Sequence, residues 1–137
     1  MKKFVIDDSV VMSWCFEDEQ SAHSQRILQN LNTAVALTPA LWPFEIANGL
    51  LMAERRKRIS LEDVVIFLGF LKQLPIQTDR FSIKEAGWLA CYHLAREHHL
   101  TVYDASYLHL AAREKIPLAT FDSPMIKAAH DLKIDIL

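Results

Sequence analysis

The chain has 137 residues, 51% of them apolar, with a formal net charge of −2. That length supports one domain over residues 1–137, with a core that needs no disulfide or metal staple. The slight negative charge excludes any global attraction to polyanions, so a phosphate-bearing partner has to be held by a local basic patch or by bound metal.

Lys3–Asp7 reads as a central strand, wholly apolar from Phe4 up to its acid. Val10, Val11, Trp14 and Phe16 suggest a short helical turn behind it. Ser21–Leu31 carries Ala22, Ile27, Leu28 and Leu31 and reads as a helix ending near Asn30 or Asn32. Ala34–Leu37 is a second apolar strand, stopped by Thr38-Pro39. Pro43–Arg58 forms the next helix, with Pro43 acceptable in its first turn. Its closing run, Arg55-Arg56-Lys57-Arg58, complements the helix dipole. Ser60–Leu74 follows, with Ser60 and Asp63 spaced as a capping box. Its apolar set includes Val64, Phe67, Leu68, Phe70 and Leu71 and covers more than one stripe. A second buried face, at a protein interface, is therefore expected on this helical hairpin.

Pro75 stops that helix, and Ile76–Thr78 suits a short strand. Ser82–Glu85 reads as a capping box for a helix running to about His98. Thr101-Val102-Tyr103 reads as a short buried strand that runs into Asp104, with Leu108, Ala111 and Ala112 at helical spacing behind it. Pro117–Phe121 is another strand, Pro124–Asp131 a helix and Lys133–Ile136 a last edge strand. This alternation predicts an α/β fold: a three-layer α/β/α sandwich on a parallel sheet of four to five strands.

Three of these joints carry an acid, Asp7, Asp104 and Asp122, where a strand gives way to a helix. In an open parallel sheet all such joints lie at the carboxyl edge, where ligand crevices form. Aspartate is also a good helix N-cap, which accounts for any one of them and leaves Asp104 open between the two roles. Ser123-Pro124 supplies a cap and an N1 proline at the third joint, and Asp8 or Ser9 can cap at the first. Asp122 and Asp7 are thus free of that task. Glu45 is the only charged residue between Ile27 and Ala53, and Asn48 lies on the same face three residues on. Its place in a first helical turn is favourable through the dipole alone, so a structural and a functional role stand level for Glu45 by itself.

At ~5 Å and an effective dielectric near 20, each carboxylate pair repels by roughly 3 kcal/mol. A cluster of four takes up protons or binds cations. Oxygen ligands without Cys or His favour Mg²⁺ or Mn²⁺ over Zn²⁺. One or two such ions activate water and stabilise in-line attack on a phosphodiester.

Other chemistries find little support. Gly49, Gly69 and Gly87 are the only glycines, each inside a helical pattern, which excludes a P-loop and a GxGxxG site. The six histidines lack zinc-ligand spacing, and no GxSxG elbow occurs. Cys15 and Cys91 are isolated, as in a reducing cytoplasm. Neither a signal-peptide pattern nor a membrane-spanning run is present, so a cytoplasmic protein is expected.

The segments FVIDDSVVMSW, PFEIANGLLMA, TVYDASYLHLA and LATFD, in this order and spacing, resemble the PIN-domain family, in its branch of VapC-type toxins. The resemblance covers essentially the whole chain. It implies an acidic pocket binding Mg²⁺ or Mn²⁺, with the family's acids falling on Asp7, Glu45, Asp104 and Asp122 and its polar helpers on Ser9, Asn48 and Thr120. The implied activity is metal-dependent endoribonuclease cleavage of RNA. An antitoxin is the implied inhibitor and a homodimer the implied assembly. Asp8 departs from the family's usual small residue between the first acid and Ser9. Two readings stand beside this one on the same fold: a catalytically idle binding protein, and a housekeeping nuclease that is not a toxin. A phosphatase of the haloacid-dehalogenase type needs a DxD motif, which the IDDSV segment lacks.

Overall fold

The computed structural model describes residues 2–137, apart from the side chain of Ser82. Strand β1, Lys3–Ile6, is the centre of the sheet. It pairs in parallel with β2, Val35–Thr38, setting Phe4 opposite Ala36, and with β4, Leu118–Ala119, setting Val5 opposite Leu118. Strand β3, Ile76–Thr78, extends the sheet beyond β2, for an order β3-β2-β1-β4 with every pair parallel. Lys133–Ile136, expected as a fifth strand, contributes only an isolated bridge from Ile136 to Leu118.

Side chains alternate across β1 and so divide the core in two. Phe4 and Ile6 pack with Val10, Val11, Ile27, Ile46 and Leu50. These come from β1 itself, α1 (Asp8–Ser13), α2 (Ala22–Asn30) and α3 (Trp42–Arg55), and α4 (Leu61–Leu71) adds Phe67 and Leu71 to the same cluster. Val5 faces the other way, onto Tyr107, Leu108, Leu118 and Met125. That layer holds α6 (Val102–Glu114) and α7 (Ser123–Asp131), and α5 (Glu85–His98) packs on α6 through Cys91, Ala95 and Ala105. The expected α/β/α layering is present.

Two helix starts differ from expectation. Thr101–Tyr103 is not a strand. His99 closes α5 in the left-handed region (φ 56°), and the Thr101 hydroxyl then accepts a hydrogen bond from the Asp104 backbone N–H at 3.0 Å. Thr101 is thus an N-cap, with Asp104 at the third helical position. Val102 and Tyr103 are exposed, so the burial that makes a β-branched run behave as a strand is missing. At α5 the helix starts at Glu85 after Lys84, following a tight turn at Phe81–Ile83; the Ser82 side chain, expected to cap, lies outside the described part.

On α4 the apolar excess divides. Phe67 and Leu71 are buried and Phe70 half-buried, while Leu61 (63%), Val65 (62%) and Ile66 (63%) are exposed. Helix α3 ends at Arg55, so Arg58 lies outside it. Its guanidinium pairs with Asp18 and Glu19 at 2.8 and 2.7 Å and sits 3.9 Å over the Phe16 ring. Among the described residues no helix is long and apolar enough to cross a membrane.

The topology decides where a site can form. From β1 the chain adds β2 and β3 on one side, then returns to place β4 on the other. The crevice outside the carboxyl ends of β1 and β4 is therefore the switch point of the sheet, where ligands of open α/β folds bind.

Candidate metal centre

Asp7 follows β1 at that switch point. Its extended backbone (φ −83°, ψ 153°) occupies the N-cap position of α1, yet its side chain caps nothing. The carboxylate turns inward and is only 2% exposed. One oxygen, Oδ2, accepts hydrogen bonds from Ser9 Oγ at 2.9 Å and Thr120 Oγ1 at 2.7 Å. Each hydroxyl also accepts from the chain after β4: Ser9 from the Phe121 N–H at 3.2 Å, Thr120 from the Asp122 N–H at 3.1 Å. The ends of β1 and β4 are thus stitched through one carboxylate oxygen. The other oxygen, Oδ1, is buried without a hydrogen-bond partner. Burial, reinforced by the neighbouring Asp8 carboxyl, raises the Asp7 pKa to about 8.

Glu45, in the first turn of α3, is half-buried and accepts a hydrogen bond from the Tyr107 hydroxyl at 2.7 Å. Burial raises its pKa, the tyrosine bond opposes that, and the charges of Asp7 and Asp104 add to the rise. Asp104 is raised mainly by burial, with Asp7 and Asp122 adding to it against the Thr101 bond. Asp122 serves as the N-cap of α7, accepting from the Met125 N–H at 3.1 Å, while Ser123 is that helix's first residue. The expectation that Ser123 would take the cap is corrected: the backbone is still extended at Asp122 (φ −80°, ψ 116°) and helical from Ser123, so the Asp122 carboxylate is the group that reaches the N–H of the third helical residue, Met125. Asn48 is exposed on α3 and lines a cavity with Leu41, Phe44, Glu45 and Tyr103.

Electrostatic coupling therefore runs from Asp7 to Glu45 and Asp104, from Asp104 to Glu45, and from Asp122 to Asp104. Among the described residues no three His, Cys, Asp or Glu side chains stand close enough to hold an ion as a preformed cage. The donors nonetheless fit a hard cation. They are all oxygen, the unpaired Oδ1 of Asp7 lacks only an electrophile, and the raised carboxyl pKa values mark a place where positive charge is wanted. Mg²⁺ in particular is often held through one or two carboxylates and its own waters.

Tyr107 was not singled out from the sequence. It is fully buried in the α6 layer with its hydroxyl on Glu45, and burial pushes its own pKa strongly upward, so it stays a donor. The available signal was its place three residues after Asp104, on the same helical face.

Residues 4–131 match the family model of the PIN domain. The chain belongs to the PIN-domain family. One PIN relative, Ribonuclease VapC3 of Pyrobaculum aerophilum, is 28% identical over 124 residues, which span 88% of this chain and 89% of that protein. Among solved structures, PAE2754 from Pyrobaculum aerophilum superposes with a TM-score of 0.69 at 20% identity, covering 93% of this PIN chain and 86% of its own. VapBC2 from Rickettsia felis, bound to a DNA fragment from its promoter, matches with a TM-score of 0.65 at 11% identity over 98% and 97% of the two chains. FitAcB from Neisseria gonorrhoeae matches at 0.56 and 15%, over 98% and 96%. At such identities the structural likeness is one of PIN fold.

Proposed function

We propose that this PIN-domain protein is a metal-dependent endoribonuclease and the toxin half of a toxin–antitoxin pair. The observation that carries the chemical part is the Asp7 carboxylate, buried at the switch point with one oxygen fixed by Ser9 and Thr120 and the other unpaired. Asp7, Glu45, Asp104 and Asp122 would hold Mg²⁺ or Mn²⁺, which supplies an activated water and charge neutralisation at the scissile phosphate. Ser9 and Thr120 orient Asp7, and Tyr107 orients Glu45. Asn48 extends the polar rim one turn along α3. Asp8 increases the negative field at Asp7 and so its demand for a cation. The name of the curated relative, Ribonuclease VapC3, supports RNA as the substrate class.

The partner part rests on α4. Leu61, Val65 and Ile66 stay exposed, and apolar cavities flank the helix on both sides, one of about 300 Å³ beside Trp42, Pro43 and Leu68, one of about 490 Å³ beside Trp14, Ile66 and Phe70. An amphipathic antitoxin segment laid along this helix would cover them. A VapBC pair among the structural neighbours supports such a partner. A second copy of the chain is the expected companion in solution.

Asp104→Asn preserves size and removes charge. In purified protein it should abolish Mn²⁺-dependent RNA cleavage and leave the fold intact, as circular dichroism would show. Full activity in that variant, or wild-type cleavage undiminished in EDTA, would overturn the assignment.

A further inference from the structure

Beside the acids lies a cavity of about 390 Å³ that combines aromatic rings with hydrogen-bonding groups, lined by Leu41, Phe44, Glu45, Asn48 and Tyr103. Phe44 immediately precedes Glu45 on α3, and Tyr103 immediately precedes Asp104 on α6. Each ring is thus carried next to an acid of the proposed centre. Phe44 is 76% exposed and Tyr103 56%. Among the described residues neither ring packs against another aromatic side chain. Neither therefore contributes much to the core. Asn48 offers an amide, both donor and acceptor, at the same cavity.

The charge pattern narrows the ligand. No Lys or Arg lines this cavity, and the adjoining carboxylates repel phosphate. Purchase on a nucleic acid here has to come from uncharged contacts. Every nucleobase has a π face that stacks on aromatic rings, and an edge that an amide can hydrogen-bond. A base engaged in a duplex presents neither freely.

From this lining we infer that Phe44 and Tyr103 form a stacking platform for an unpaired base beside the scissile phosphate, with Asn48 at that base's edge. The inference rests on the nuclease reading for the presence of RNA and adds the side chains that seat a base beside the acids. It makes the two rings substrate-binding residues with no part in bond cleavage.

The test uses the whole protein with short single-stranded RNAs in Mn²⁺. Phe44→Ala and Tyr103→Ala should each raise KM on the order of tenfold while kcat stays within a few-fold. Tyr103→Phe keeps the π face and should retain the wild-type KM, whereas Phe44→Leu keeps only apolar bulk and should not. A second readout is independent of cleavage. In an Asp104→Asn background, ring removal should weaken binding of labelled RNA by a similar factor, and an abasic nucleotide scanned along the RNA should reproduce the loss at one position. Unchanged KM in both alanine variants of an active enzyme would overturn the platform and leave the nuclease reading standing. Equal cleavage of duplex RNA would do the same. Should the alanine variants turn an associating wild type into a monomer by light scattering, the rings belong to an interface between copies and the inference falls. A wild type that neither cleaves nor binds RNA removes the nuclease reading itself.

Discussion

The two oxygens of Asp7 have separate employment: Oδ2 is saturated by two hydroxyls, while Oδ1 is desolvated and bare. Such a group resists ionisation, and its pKa of about 8 makes that a statement about stability. Between an ordinary carboxyl value of 3.8 and about 8, the folded protein keeps a proton that the unfolded chain has released. The folded state then binds more protons than the unfolded state, so stability falls as pH rises through that window. Glu45 and Asp104 are shifted in the same direction and add to the slope. In EDTA, acidification from pH 8 to pH 6 should therefore raise the melting temperature. Asp7→Asn should lose a large part of that dependence and melt higher than wild type at pH 8. Calorimetric scans at the two pH values check this, and a wild-type melting temperature that fell on acidification would contradict it.

Among the elements, α4 shows most directly how one helix answers to two demands. Phe67 and Leu71 belong to the core, whereas Ile66 and Val65 project from it. Ile66→Asp should consequently leave stability within about 0.5 kcal/mol, as surface changes usually do, and weaken capture of the antitoxin at least tenfold in a binding assay, with RNA cleavage unaffected. Phe67→Asp, by contrast, would unfold the protein. The apolar surplus of this helix was legible in the residues, but which ones it comprised was not. Phe70 packs half-buried against the core, because rotation of a helix about its axis is fixed by its neighbours rather than by its own stripe. The same limit explains Thr101–Tyr103. Three good strand formers were read as a strand, but Thr-x-x-Asp is also a cap pattern, and just three residues after α5 the cap prevails. Strand β1 was legible because every residue from Phe4 to Ile6 is buried, so local pattern and global position agree. Of the acids, Asp7 stood out for the reason its geometry later supplied. For Asp122 the structure reverses the capping argument, since its side chain is the N-cap of α7.

At the scale of the molecule, the β3-β2-β1-β4 order brings together groups drawn from both ends of the sequence. A cation bound there by the folded state alone must stabilise the whole domain by mass action. At a free concentration a hundred times Kd the gain is about 2.7 kcal/mol. Mn²⁺ should accordingly raise the melting temperature by several degrees over an EDTA control, and Asp7→Asn should erase most of the shift. An equal shift in the variant would place the ion elsewhere. The stitch between Asp7 and Thr120 also spans 113 positions of the sequence. During synthesis the first strand, Asp7 and Glu45 emerge long before Thr120 does. A nascent chain, or a fragment released by a stalled or abandoned ribosome, carries an Asp7 with Ser9 beside it but without the Thr120 hydroxyl that completes the hold on Oδ2. On the nuclease reading, a copy that stops before β4 lacks both Thr120 and Asp122 and should not cleave RNA.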